Sequence, residues 1–265
     1  MKKNIVIGAV SIAVIIILFV LLTLVFKSKA SGKISSPALK EAQAALGKGD
    51  YLKARELYKK ALETTDDVNK LKDIQGIIEG LNTKIIFSPI MDKCSKGYTV
   101  KPGDTLAKIA KEFNTTIELI KIANSLTSDN IRPGAQLKIN TCKYCIVVDK
   151  SQNLLFLKST DEIIKTYIVS TGKNNSTPVG NFKIVIKQPN PTWFKTGAVI
   201  PPDSPQNILG TRWLGLDAKG YGIHGTTEPQ DLGKQVTMGC VRMCNKDVEE
   251  LYNIVPVGTE VTIID

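Results

Sequence analysis

The sequence predicts a multidomain chain with an N-terminal transmembrane helix, a short α-helical hairpin, a βααβ module and a mainly-β C-terminal domain. Three observations carry this prediction. Residues 5–26 are uncharged and almost wholly apolar, helical spacing of apolar residues follows them, and strand-like runs separated by turns begin at Ile146. The predicted domains are residues 1–30, 36–83, 97–140 and 145–265.

The N-terminal segment has the length of a membrane-spanning helix. Residues 5–26 would span about 33 Å as a helix, and a bilayer core is about 30 Å thick. Lysines flank the segment on both sides, so the positive-inside rule gives no clear orientation. A cleaved signal peptide is the alternative, because Ser28-Lys29-Ala30 loosely resembles a cleavage site. We expect an uncleaved signal anchor, since the apolar run exceeds the ~7–15 residues of such peptides.

The net charge of +10 suits an anionic partner such as a membrane surface, a wall polymer or nucleic acid. Neither the aromatic pattern of an RNA-binding module nor zinc-finger Cys/His spacing occurs, so we expect no nucleic-acid partner. The lysines are spread along the chain, which is typical of a solvated surface.

The chain has an odd number of cysteines. In an exported protein, five thiols permit two disulfides and one free thiol. Cys94 has two possible partners, Cys142 across the ends of one compact segment and Cys145 just beyond it. The Cys142-x-x-Cys145 spacing lacks the further ligands that a zinc site needs, so we expect no metal. The cysteines are Cys94, Cys142, Cys145, Cys240 and Cys244.

The second segment predicts helices that form a spacer. Apolar residues recur at helical spacing on both sides of a turn at residues 47–50, and a third helix is predicted at about 68–81. The pair resembles a single tetratricopeptide-type hairpin. One such repeat buries little core, so a spacer or docking element is favoured over a peptide-binding groove.

The third segment alternates strand, helix, helix and strand. A strand is predicted at residues 98–100, two amphipathic helices follow, and a second strand is predicted at 136–139. The stretches YTVKPGDTLAKIA and IRPGAQLKI make this block resemble a LysM module. The resemblance implies binding of N-acetylglucosamine-containing glycan in a groove between two loops; a folded spacer is the alternative. The groove positions are Gly103, Asp104, Thr105 and Leu106, then Asn130, Ile131, Arg132 and Pro133.

Strand patterns dominate the C-terminal domain. YCIVVDKSQNLLFLKS and EIIKTYIVSTG predict paired strands, with a first turn at residues 151–153. Further strands are predicted at 183–187 and 261–264, a long connection at about 201–213, and a short helix at 245–252.

The only histidine, His224, lies sixteen positions before Cys240. A thiol with a pKa near ~8.5 is a few per cent ionised at neutral pH, and a nearby imidazole can accept its proton. Gly225 and Gly239 beside the two residues allow close backbone approach. If the chain performs Cys/His acyl transfer, it offers no second candidate for the base.

The C-terminal domain resembles an L,D-transpeptidase catalytic domain of the YkuD type. The resemblance rests on VVDKSQNLLFLK, VSTGKNNSTPVGNFKI, LGTRWLGL, GYGIHGT and TMGCVRMCNKDVEELY, in the family's order. It implies that Cys240 is the nucleophile and His224 the general base and acid, with no metal or organic cofactor. The implied supporting residues are Gly239 and Thr237 near the oxyanion, and Arg242, Tyr221 and Trp213 for substrate.

One position departs from the family's Ser-His-Gly-Cys pattern, because Met238 replaces the second histidine. The resemblance places the base at His224, so we expect peptidoglycan cross-linking activity on the outer side of a cell membrane. A glycan-binding wall protein inactivated by Met238 is the alternative. A wall-cleaving cysteine endopeptidase is disfavoured, because those families place the cysteine before the histidine.

Overall fold

The computed structural model describes residues 37–160, 162–195 and 197–265. The predicted transmembrane segment lies outside these residues. Among the helices of the described part, none is both long enough and apolar enough to cross a membrane. The chain divides into two compact units, one ending at Asn82 and the other beginning at Thr83.

Three helices form the first unit and lead into the second. The turn between the first two helices uses Gly49 at φ 75°, and the Asp50 carboxylate then accepts a hydrogen bond from the Lys53 N–H at 3.1 Å. This contact caps the second helix. The third helix continues five residues beyond the predicted Leu81. The helices are α1 (Pro37–Gly47), α2 (Tyr51–Glu63) and α3 (Val68–Ile86).

The βααβ module has the predicted architecture. Its two strands pair antiparallel, with Tyr98 opposite Leu137. A threonine hydroxyl caps each helix, Thr105 for the first and Thr116 for the second. The elements are β1 (Ser95–Thr99), α4 (Leu106–Glu112), α5 (Ile117–Ala123) and β2 (Gln136–Asn140).

A disulfide joins the two ends of the module. It links Cys94 to Cys142, with a Cα–Cα distance of 4.9 Å. Of the two possible partners of Cys94, Cys142 is therefore the one that forms the disulfide. The three remaining cysteines, Cys145, Cys240 and Cys244, are free thiols.

The C-terminal domain is mainly β, as predicted, and its strands close into a ring. The strands are β3 (Tyr144–Asp149), β4 (Leu154–Ser159), β5 (Glu162–Gly172), β6 (Gly180–Pro189), β9 (Arg212–Leu216), β10 (Gly222–His224), β11 (Gln235–Thr237), β12 (Val241–Met243) and β13 (Glu260–Ile264). The ring order is β4-β5-β12-β10-β9-β6-β13-β3, and β3 pairs with β4 again to complete it. Strand β5 makes closure possible because it is long: its first part pairs with β4, and its end pairs with β12 and β11.

Two further elements flank this sheet. The helix α6 (Asn245–Ile254) follows β12 and buries Val248 and Leu251 in the core of the domain. The hairpin of β7 (Trp193–Lys195) and β8 (Ala198–Ile200) lies within the stretch before β9 and was not predicted. Its residue Phe194 is largely exposed, so the hairpin presents apolar surface to solvent.

The βααβ module packs directly on the C-terminal domain. Leu119 of α5 is 1% exposed and belongs to the core of the C-terminal domain, whereas its neighbour Ile120 belongs to the core of the module. The Thr116 hydroxyl donates to the carbonyl of Asn253 in α6. A buried lysine, Lys138 of β2, donates to the Ile85 carbonyl at the end of α3 at 2.5 Å. All of these contacts lie within the second unit, which begins at Thr83.

Candidate active site

One face of the closed sheet gathers the candidate residues. Side chains alternate along a strand, and Ile223 of β10 and Val241 of β12 point into the core. His224 and Arg242 therefore point to the opposite face, and they are partners in the parallel β10–β12 ladder. Cys240 lies one residue before β12, and it lines the same cleft as His224 and Arg242.

The imidazole of His224 is buried and its orientation is fixed. It is 3% exposed and stacks on Trp213 of the adjacent strand, with ring centroids 5.7 Å apart. Its Nδ1 lies 2.7 Å from the Gly225 carbonyl oxygen. A carbonyl only accepts, so Nδ1 carries the proton of the neutral ring and Nε2 keeps its lone pair.

The environment of His224 favours the neutral form. Burial lowers its pKa to about 4, and the positive charge of Arg242 acts in the same direction. The hydrogen bond to the Gly225 carbonyl and the nearby backbone of Leu209 oppose this lowering of the pKa but are outweighed. The ring is therefore uncharged at neutral pH and is able to accept a proton.

A short turn between β11 and β12 holds Cys240. The Thr237 hydroxyl donates to the Cys240 carbonyl at 2.6 Å and accepts from the Gly239 N–H at 3.2 Å. Gly239 has φ 129°, and a Cβ there would lie 2.7 Å from Cε1 of Tyr221. Glycine is thus required at this position by conformation and by close packing.

Gly239 and Thr237 are the two residues expected near the oxyanion, and in the structure they contact each other. The Gly239 N–H donates to the Thr237 hydroxyl at 3.2 Å. The position that orients the His224 ring is taken by the Gly225 carbonyl. The role of Gly239 and Thr237 at an oxyanion stays a prediction.

The Cys240 thiol is also neutral at rest. Burial raises its pKa, while a hydrogen bond from the Gly222 amide and the charge of Arg242 oppose the rise. The thiol donates to the Gly220 carbonyl, with 3.6 Å between sulfur and oxygen. Within the described residues, no hydrogen bond joins Sγ to the His224 ring, although both residues line the same cleft.

Arg242 pairs with an exposed carboxylate. Its side chain is 8% exposed, and one terminal nitrogen lies 2.8 Å from Oε2 of Glu228. Its buried Nε has no hydrogen-bond partner in the described residues. The guanidinium thus provides positive charge close to both His224 and Cys240 and keeps one donor unused.

The cleft has a volume of about 620 Å³. Of the expected catalytic, supporting and substrate-binding residues, Gly239 is the one that does not line it; those that do are Cys240, His224, Thr237, Arg242, Tyr221 and Trp213. Trp213 and Tyr221 form part of its wall, and Phe194 of the β7–β8 hairpin contributes a further aromatic side chain that sequence reasoning missed. Met238 also lines the cleft, with its side chain 83% exposed. The residue that departs from the family pattern therefore lies at the open side of the cleft.

The expected glycan groove of the βααβ module contains several residues with structural roles. Leu106 is buried in the module core, Thr105 caps α4, and the Asp104 carboxylate accepts from the Tyr98 hydroxyl at 2.8 Å. The side chain of Leu106 is therefore not available to a ligand. The Gly103 carbonyl accepts from the Lys108 ammonium. In the second loop Ile131 packs against the module core, and the exposed positions are Asn130, Arg132 and Pro133.

Comparison with known proteins matches both folded parts of the second unit. The model of the L,D-transpeptidase catalytic domain, YkuD, matches residues 143–263, and that of the LysM domain matches residues 98–140. The chain is 40% identical over 174 residues to "Putative L,D-transpeptidase YkuD" of Bacillus licheniformis, covering 63% of this chain and 97% of that protein. The protein of the same name from Bacillus subtilis is 38% identical over 173 residues, with the same coverage.

A solved structure of an L,D-transpeptidase from Mycobacterium tuberculosis is 18% identical, with a TM-score of 0.41. The match covers 50% of this chain and 63% of that one, a little under two thirds of its length.

A buried imidazole and a thiol in one cleft of a closed sheet define a cysteine-dependent acyl-transfer type of site. The chain belongs to the YkuD-type L,D-transpeptidase family, and it carries a LysM domain.

Proposed function

We propose that this protein is a peptidoglycan L,D-transpeptidase in which Cys240 is the nucleophile and His224 is the general base and acid. The observation that carries the assignment of roles is the 2.7 Å contact between Nδ1 of His224 and the Gly225 carbonyl oxygen. Because Nδ1 donates to the Gly225 carbonyl, the unprotonated Nε2 is available to accept the thiol proton.

The first half of the reaction forms a thioester. The thiol of Cys240 gives its proton to Nε2 of His224, and Sγ bonds to the carbonyl carbon of the third residue of a stem peptide. The resulting oxyanion faces the amide of Cys240. The bond to D-alanine then breaks, and the imidazolium returns the proton to the departing amine. The third residue is meso-diaminopimelate or L-lysine.

The second half transfers the acyl group. An amine of another stem attacks the thioester carbon, His224 accepts the proton of that amine, and Cys240 leaves as thiolate and regains the proton. The product is a 3→3 cross-link. A protein amine in place of the stem amine attaches that protein to the wall, and water trims the stem.

The arrangement of the chain supports a site of action outside the cytoplasm. The Cys94–Cys142 disulfide fits an oxidising, extracytoplasmic compartment, where peptidoglycan also lies. The apolar residues 5–26 would anchor the protein to the cell membrane, and the LysM domain would hold it on glycan strands. Binding by this second domain raises the local concentration of stem peptide at the cleft.

Muropeptide analysis tests the proposal. Purified wall is incubated with the wild type, with Cys240→Ala and with Cys145→Ala as a matched thiol control outside the cleft. We expect 3→3 dimers or trimmed stems with the wild type and with Cys145→Ala, and neither with Cys240→Ala. Identical profiles for all three, with glycan binding retained, would instead support the inactive wall-binding protein.

A further inference from the structure

The first residue of α6, Asn245, links two loops beside the base. Its Oδ1 accepts from the Thr226 N–H at 3.0 Å and from the Thr211 N–H at 3.3 Å. Its Nδ2 donates to the Thr226 carbonyl at 2.9 Å. Exchanging the amide oxygen and nitrogen would place two donors against two donors, so this set of partners fixes the orientation of the amide.

Two glycines allow this approach. A Cβ at Gly210 or at Gly225 would overlap the Oδ1 atom of Asn245. Gly210 also has φ 64°, which favours glycine independently. The backbone on both sides of Asn245 is thus shaped to admit its side chain.

The contact to Thr226 reaches His224 through one peptide group. The N–H of Thr226 and the C=O of Gly225 belong to the same planar trans unit, so they point in opposite directions. The N–H is held by Asn245, and the carbonyl therefore points away from Asn245 and onto Nδ1 of His224. If this peptide turned over, Nδ1 would meet an N–H donor and the ring proton would move to Nε2.

We propose that Asn245 is a positioning residue that sets the tautomer of His224 through the orientation of the Gly225–Thr226 peptide. The effect on catalysis rests on the proposed function, whereas the effect on the tautomer does not, because the hydrogen bonds are independent of any reaction. A ring protonated at Nε2 has no lone pair directed at Cys240. Loss of the Asn245 side chain should then slow thioester formation more than it weakens substrate binding.

The single histidine of the chain makes the test direct. Long-range proton–nitrogen NMR distinguishes the two neutral tautomers, and all of the imidazole signal comes from His224. We expect the Nδ1–H form in the wild type and an appreciable Nε2–H population in Asn245→Ala. We also expect kcat to fall tenfold or more while KM changes by no more than about twofold.

Asn124→Ala is the matched control, because Asn124 also makes three amide hydrogen bonds between two segments. Its partners are Lys138 N–H, Lys138 C=O and Ile120 C=O, at 2.7–2.8 Å, within the LysM domain. We expect this variant to lower the melting temperature without changing the tautomer. Asn245→Asp keeps the acceptor for the Thr226 N–H, so it should retain the Nδ1–H form and recover part of kcat.

Two outcomes would overturn the inference. One is an unchanged tautomer in Asn245→Ala with a melting temperature lowered as in Asn124→Ala, which would make Asn245 a purely structural residue. The second outcome applies if Asn245→Ala does not fold. In that case, an imidazole protonated at Nε2 in Asn245→Asp would contradict the inference, because this variant keeps the acceptor for the Thr226 N–H. The proposed function can fail separately. If the wild type makes no product, but the His224 tautomer still changes in Asn245→Ala, the proposed function is wrong and the positioning role of Asn245 is retained.

Discussion

Burial and a neighbouring guanidinium keep the single imidazole of this chain uncharged. His224 lies between Trp213 and Arg242 on one face of the sheet, where a charged ring would lose hydration and face a like charge. The raised pKa of Cys240 keeps its thiol protonated as well. The resting site therefore holds a neutral pair, and in the proposed mechanism the proton moves during attack on substrate.

The stability of the protein should depend on this histidine in acid. The pKa is about 4 in the folded state and about 6.5 in an unfolded chain, so the unfolded state binds more protons between these values. The stabilisation is complete above pH 6.5 and is lost as the pH falls toward 4, and it amounts to about 3 kcal/mol. Urea unfolding of the wild type and of His224→Gln at pH 7 and pH 4.5 measures it. Equal losses of unfolding free energy in both proteins would contradict the prediction.

The sequence predicted the members of the site better than their contacts. Cys240, His224, Trp213, Tyr221 and Arg242 all line one cleft, because strand alternation and motif spacing determine which face each occupies. Hydrogen-bond partners depend on backbone orientation in the turn, and no residue pattern specifies it. The sequence therefore placed Gly239 and Thr237 near the oxyanion, but it did not indicate that the Gly239 N–H donates to the Thr237 hydroxyl.

Asn245 escaped sequence reasoning for a different reason. Its partners lie 19 and 34 positions away in the chain, and they are backbone groups, which leave no residue-type signal. The one sequence signal of these contacts is the pair of glycines that make room for its side chain, Gly210 and Gly225.

At the scale of elements, long alternating runs were predictable and short irregular ones were not. Strand β5 has the bounds of the run that predicted it, Glu162–Gly172, and helix α6 extends two residues beyond the predicted 245–252. The β7–β8 hairpin has strands of three residues in a stretch rich in proline and polar residues, which is too short to show alternation. Its pairing comes from contacts that form only once the chain has folded.

The turn between β11 and β12 gives an element-scale prediction. Gly239→Ala would introduce a Cβ that clashes with Tyr221, and it would strain a residue at φ 129°. We expect at least a tenfold loss of kcat, because relief of the clash displaces Cys240. Gly258→Ala is the control: it has a comparable φ of 93°, nothing lies within 4 Å of its Cβ, and it is not among the residues that line the cleft.

Steady-state kinetics and thermal melting separate strain from displacement. Both variants should lose about 1–3 kcal/mol of stability from the unfavourable backbone conformation. Only Gly239→Ala should lose activity at a temperature where both remain folded. Equal activity in the two variants would mean that the turn tolerates the shift and does not set the position of the thiol.

At the scale of the whole molecule, the contacts of Leu119 bear on how the LysM and C-terminal domains unfold. This residue belongs to the LysM fold by sequence and to the core of the C-terminal domain by packing. The Thr116–Asn253 hydrogen bond adds a polar contact that is lost if the domains separate. Two domains joined in this way should unfold in one cooperative step, whereas domains connected by a flexible linker unfold independently.

A substitution inside the LysM core tests this cooperativity, because both tryptophans, Trp193 and Trp213, lie in the C-terminal domain. Ile109 is buried in the LysM core, and Ile109→Ala should cost about 2–5 kcal/mol. If the domains unfold together, the free energy of unfolding reported by tryptophan fluorescence falls by this full cost, and the denaturation midpoint falls with it, even though the mutation is in the other domain. An unchanged tryptophan midpoint, with earlier loss of LysM amide protection in hydrogen exchange, would show that the domains unfold separately. The cooperative result would mean that glycan bound by the LysM domain stabilises the fold that holds Cys240 and His224, because a ligand of one part then stabilises the whole unit.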